Sequence, residues 1–165
     1  MKNLYIDFDG VIMDTIRTST ELMEKLEINK EDSVQVDNFY ANLNWDNLLE
    51  ITPILNDAFK CIDKLLNSNK FNVSILTHVN SLNEAVAKVD FIRNHTGEVT
   101  VIPVPIKIAK TKMCKALDAI LVDDYSVNLR DWEANGGIGI QFSLDLSKDK
   151  GFTVIDRLDK LIDMF

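Results

Sequence analysis

The sequence predicts an α/β protein: a three-layer, Rossmann-like, mostly parallel sheet carrying a small helical cap inserted after the first strand. Short β-rich apolar runs (4–6, 71–76, 99–104, 119–122 and 137–142) alternate with stretches of helical periodicity. Three of the runs end on a polar side chain, Asp7, Thr77 and Asp123. In open α/β sheets ligands bind outside the carboxyl ends of the strands, so these three groups are expected on one rim.

With 165 residues, 46% of them apolar and 27% charged, the chain suits one domain with a real core and one modest insertion. The formal net charge of −8 argues against a nucleic-acid polymer or an acidic membrane as the main partner. A small anionic substrate remains compatible if a metal and a few lysines reverse the field locally. No apolar run approaches the ~18 residues that cross a bilayer. Asp7 and Asp9 interrupt the N-terminus before it could read as a signal peptide. Cys61 and Cys114 lie far apart with no metal-ligand spacing, which fits buried thiols in a reducing cytoplasm.

The first strand runs through Leu4, Tyr5 and Ile6 into Asp7 and Asp9, and Gly10 lets the chain turn away without filling the space between them. Two carboxylates this close to an anionic substrate need neutralising, and a hard cation such as Mg²⁺ takes oxygen ligands. Residues 15–51 read as the cap, with the core formed by 1–14 and 52–165. Within the cap, Thr18 to Glu21 has the pattern of a capping box and Ile16, Leu22, Met23 and Leu26 form a stripe. Residues 29–36 read as a loop. A weaker helical pattern follows through Phe39, Tyr40, Leu43, Leu48 and Leu49, with Trp45 inside it and poor periodicity over 42–47.

Thr52-Pro53 reads as a helix start, followed by Ile54, Leu55, Ala58, Phe59, Ile62, Leu65 and Leu66 at helical spacing. Ser81 to Glu84 is a second capping box, opening a helix carried by Leu82, Val86, Val89 and Ile92 toward a cap at Gly97. A short helix is expected over 111–117, one capped by Ser126 next, then a further strand near 152–155 and a helix with Leu158, Leu161 and Ile162. Gly136-Gly137-Ile138-Gly139 follows a helix and enters a strand, the reverse of a phosphate-binding turn. His78 and His95 have no partners at zinc-ligand spacing.

The stretch YIDFDGVIMDT resembles the first motif of the haloacid dehalogenase-like hydrolase superfamily, apolar residues followed by DxDG. Thr77 resembles the second motif, where a hydroxyl closes a strand and binds a phosphate oxygen. Asp123-Asp124 after Ile120-Leu121-Val122 resembles the fourth, paired acids that hold the metal. The third motif is a lysine, for which Lys107, Lys110, Lys112 and Lys115 are candidates; Lys112 is preferred by its offset from the acids, with Lys110 second. The run LVDDYSVNLRDWEANGGIGIQF is similar to the small cytosolic 5′(3′)-deoxyribonucleotidases within that superfamily.

The resemblance implies a Mg²⁺-dependent phosphomonoester hydrolase with Asp7 as nucleophile and Asp9 as general acid and base. It implies Asp7, Asp124 and the Asp9 carbonyl as metal ligands, with Asp123 behind them. Trp45 and His78 are the expected substrate contacts, and a nucleoside monophosphate the expected substrate. A sugar phosphatase and a silent nucleotide-binding protein are the alternatives.

Overall fold

In the computed structural model, which describes residues 1–97 and 99–165, six strands form one sheet. They are β1 (Lys2–Ile6), β2 (Phe71–Val79), β3 (Thr100–Pro105), β4 (Ile120–Asp123), β5 (Ile138–Phe142) and β6 (Thr153–Ile155). Every pairing is parallel, in the order β3-β2-β1-β4-β5-β6. The chain builds outward from β1 through β2 to β3, then returns to β1's other edge with β4. The strand order therefore reverses between β1 and β4, the place where such sheets open a crevice.

The pleat sends alternate side chains to two faces. Leu4, Ile6, Val73, Ile75, Ile120 and Val122 join one buried cluster under helices α4 (Ala58–Asn67) and α5 (Leu82–His95), with Leu158 and Leu161 from the C-terminal turns. On the other face Leu76, Val104 and Leu121 pack beneath α7 (Ser126–Ala134) through Leu129 and Trp132. Trp132 also explains Gly137. Its Nε1 donates to the Ala119 carbonyl (3.0 Å), and a Cβ on Gly137 would lie 2.2 Å from the indole. Gly136 turns the chain at φ +83° against Leu117, so the glycine run serves a turn and the packing of the indole.

Three helices occupy the insertion: α1 (Thr15–Lys25), α2 (Ser33–Asn42) and α3 (Trp45–Ile51). The expected loop over 29–36 gives way at Ser33, because Asp32 caps α2 by accepting from the Val34 and Gln35 N–H groups. The failed periodicity over 42–47 marks a break between two helices, where the Asn44 side chain accepts from Asn47 N–H and opens α3. Thr18 to Glu21 is not a cap. The helix already starts at Thr15, and the Thr18 and Thr20 hydroxyls donate back to the Asp14 and Ile16 carbonyls.

Thr52-Pro53 does not start a helix either. Residues 52–57 run back along the segment after β1: Leu55 N–H donates to Ile12 O (2.9 Å) and Asp14 N–H to Pro53 O (3.0 Å). Asn56 and Asp57, both at positive φ, then redirect the chain into α4 at Ala58. The short helix, α6, spans only Lys110–Met113, and Ser126 is the first residue of α7 rather than its cap. Ser81 does cap α5, accepting from Glu84 N–H, while Glu84 Oε2 accepts from Asn80 N–H (2.7 Å); that helix ends on Thr96 rather than Gly97. No helix among the described residues is long and apolar enough to cross a membrane. Cys61 is buried, Cys114 half-buried, and both are free thiols.

Candidate active site

The expected rim residues meet at the β1/β4 crevice. Asp7 directly follows β1, and its N–H donates to Val122 O of β4 (2.9 Å), which fixes the strand ends beside each other. The chain then makes a tight turn in which Ile12 and Met13 N–H donate to Phe8 O and Gly10 N–H to Met13 O (2.8 Å). Gly10 has φ +72°, and a Cβ there would stand 2.3 Å from Asp124 Oδ2. The glycine of the DxDG stretch therefore lets the turn pass against the second acid of β4's pair.

Asp7, Asp123 and Asp124 each offer an oxygen within 4.8 Å of the other two. Burial pushes Asp7 well above the usual carboxylate range against the pull of Lys110, and Asp123, Asp9 and Asp124 push it further. Burial, then Asp123 and Asp9, carry Asp124 up to about 7. An all-oxygen cluster crowded with negative charge suits a hard divalent cation. Asp123 is the most heavily engaged of the three. Its oxygens accept from Lys110 Nζ (2.7 Å), Asn128 Nδ2 (2.9 Å) and Tyr125 N–H (2.8 Å).

The lysine at the site is Lys110, not Lys112. Lys110 is 2% exposed and pairs with Asp7 Oδ1 (2.9 Å) and Asp123 Oδ2 (2.7 Å), while Lys112 points to solvent. The start of α6 decides this, since the first residue of that short helix faces the sheet and the third turns outward. Burial opposes the Lys110 charge, but Asp7 and Asp123 more than offset it and hold the ammonium protonated.

Thr77 is fully buried within β2, its hydroxyl 3.4 Å from Asp9 Oδ2. Asp9 Oδ1 accepts from Thr15 Oγ1 (2.6 Å). A cleft of about 250 Å³ opens beside Asp9, lined by Ser19, Tyr40, Trp45, His78 and Asn80 among others. Both expected contacts, Trp45 and His78, border it. His78 Nε2 lies 2.9 Å from Ile108 O, and burial lowers its pKa. Trp45 is 5% exposed and stacks on Tyr40 with ring centres 6.3 Å apart, so the half-buried Tyr40 presents more open ring surface than Trp45 does. His95 lies elsewhere, stacked on Phe59 at 4.4 Å.

Sequence reasoning missed Lys88. It is fully buried in α5, with its Nζ 2.5 Å from Asp9 Oδ2 and 2.7 Å from Glu84 Oε1. Burial opposes its charge, and Asp9 and Glu84 more than restore it.

No protein-family model and no curated protein matches the chain. Solved structures do. A HAD-superfamily hydrolase from Ehrlichia chaffeensis superposes with TM-score 0.60 at 12% identity, covering 99% of this chain and 97% of that one. A HAD-superfamily hydrolase of subfamily IA, variant 1, from Geobacter sulfurreducens gives 0.61 at 15%, covering both chains completely. D,D-heptose 1,7-bisphosphate phosphatase from Burkholderia thailandensis gives 0.60 at 16%, covering 100% of this chain and 98% of that one. The chain has the α/β fold of the haloacid dehalogenase-superfamily hydrolases.

Proposed function

We infer that this protein is a Mg²⁺-dependent phosphomonoester hydrolase working through an aspartyl-phosphate on Asp7. The observation that carries this reading is the convergence at the β1/β4 switch point of Asp7, Asp9, Lys110 and Thr77 with the Asp7–Asp123–Asp124 oxygen cluster. Asp7 attacks phosphorus in line and the P–O ester bond breaks; Asp9 gives the leaving alkoxide its proton. Asp9 then takes a proton from water, which attacks the phosphorus, releasing phosphate and restoring Asp7. The Lys110 ammonium and the Thr77 hydroxyl stabilise the charge of the transferring oxygens. Mg²⁺, held by Asp7, Asp124 and the Asp9 carbonyl with Asp123 in support, would neutralise the phosphoryl group and the carboxylates around it.

Residues 15–51 act as the cap that roofs the cleft, which admits a small substrate rather than a polymer. We take the substrate to be a nucleoside monophosphate. The similarity of residues 121–142 to deoxyribonucleotidases and the Tyr40 and Trp45 rings at the cleft support this. A sugar phosphate is the second reading, favoured by the hydrogen-bonding groups of Ser19, His78 and Asn80 in the same lining. The test is phosphate release from a panel of phosphomonoesters with Mg²⁺ or with excess chelator, alongside Asp7→Asn. Mg²⁺-dependent release that is strongest on nucleotides and absent from the variant is expected. Full release in chelator, or none from any ester, would refute the reading.

A further inference from the structure

The N-terminal half of α5 faces the wrong way for its own hydrophobic pattern, although Ile92 at the far end of the same stripe is fully buried. Leu82 and Val86, which the sequence places on its buried stripe, are 79% and 53% exposed, while Glu84 and Lys88 are buried. A buried ion pair seldom stabilises a fold better than apolar residues of similar size. Exposing two apolar side chains to bury two charges is therefore a local cost, of the kind tolerated where function requires it.

The partners of Lys88 identify the requirement. Besides Asp9 and Glu84, its ammonium donates to the His78 carbonyl (3.0 Å) and reaches the Thr77 hydroxyl at 3.3 Å. It sits 5.4 Å from the Phe8 ring centre and 5.0 Å from that of Trp45, which screen it from water. Asp9 in turn has both oxygens engaged, Oδ1 by Thr15 and Oδ2 by Lys88. Asp7 and Asp124 lie close enough to repel the Asp9 carboxylate, and Asp9 keeps some solvent access into which it could swing.

We propose that Lys88, anchored by Glu84 and covered by Trp45, is a positioning residue that holds the Asp9 carboxylate in the orientation needed to pass protons to the leaving group and from water. This rests on the phosphohydrolase reading above. Lys88 does not reach the phosphoryl group in this role; it acts through Asp9.

The signature lies in the two half-reactions. p-Nitrophenolate leaves without protonation, so formation of the aspartyl-phosphate from p-nitrophenyl phosphate does not need Asp9, whereas its hydrolysis does. Lys88→Met should release p-nitrophenolate in a burst of about one equivalent per site and then turn over slowly. Its steady-state rate on an alkyl phosphate should fall about a hundredfold or more, the range of general acid–base catalysis. Because Glu84 is left buried and unpaired in that variant, Lys88→Met/Glu84→Met is made in parallel, removing both charges from the core; the same burst is expected from it. A folded double variant with wild-type rates, or one that loses the burst and the turnover together on both esters, would overturn the proposal. Wild-type protein inactive on every ester would instead refute the phosphohydrolase reading itself.

Discussion

Two lysines lie buried at this site, each between two carboxylates, yet they differ in how the chain holds them. Lys110 stands at the head of a four-residue helix and joins Asp7 to Asp123, binding the ends of β1 and β4 across the crevice. Lys88 sits in the middle of the long α5 and joins Asp9 to Glu84 one turn below it. The first pair of acids stands at the carboxyl ends of β1 and β4, and the second joins the turn after β1 to the helix that covers the sheet. A site can thus draw one cation from a short helix at the rim and the other from the core beneath, with the two aspartates of the DxDG stretch divided between them.

The largest effect is expected from removing the rim cation. Lys110→Met leaves Asp7 and Asp123 buried without their partner, a loss of about 3–5 kcal/mol in stability for a broken buried pair. Phosphohydrolase turnover should fall below detection, while Lys112→Met, at an exposed position, should stay within twofold of wild type in both assays. Thermal melts and phosphate release measure this directly, and equal effects from the two variants would erase the distinction between them.

The legibility of the two lysines differs for a physical reason. Apolar β-rich runs leading into Asp7, Thr77 and Asp123 announce themselves, so the rim and most of the sheet could be read from residue order, although β2 continues past Thr77 to Val79. Lys110 was one of four lysines in the right stretch, and the choice among them depended on where a four-residue helix begins, which no periodicity marks. Lys88 gave a misleading signal. Glu84 and Lys88 at i,i+4 look like an ordinary solvated pair, and Leu82 and Val86 supplied a plausible apolar stripe on another face. Tertiary packing left the N-terminal half of that stripe outside, while Ile92 further along it stays buried. The return segment over 52–57 failed similarly, because its backbone bonds to Ile12 and Asp14 are set by the turn after β1 rather than by Thr52-Pro53 itself.

A smaller effect separates the roof of Lys88 from the contact with substrate. If Trp45 offers its edge to a nucleobase, Trp45→Leu should raise KM for nucleoside monophosphates about tenfold. KM for p-nitrophenyl phosphate should change little. Equal losses on both would assign the ring to enclosing Lys88 alone.

The smallest effect belongs to a third charged cluster, on the surface. Asp159 accepts from Lys64 (2.7 Å) and from Arg157 Nε and Nη2 (each 3.2 Å), and these hydrogen bonds, Arg157's first, hold its carboxyl well below the usual range. A pKa depressed by folding contributes stability above the unfolded carboxylate value and loses it as the pH falls. Asp159→Asn should therefore cost about 1 kcal/mol or less at pH 7. The gap in Tm between variant and wild type should close as the pH is lowered from about 5 toward 2. A gap that persists in acid would assign the loss to packing instead.

The central claim is that Asp7 carries the phosphoryl group. Protein incubated with Mg²⁺ and a ³²P-labelled phosphomonoester, quenched in acid during turnover, should retain label that hydroxylamine releases and that maps to the peptide containing Asp7. Asp7→Asn should retain none. Turnover with no protein-bound label at any quench time, or label mapped to another residue, would contradict the account.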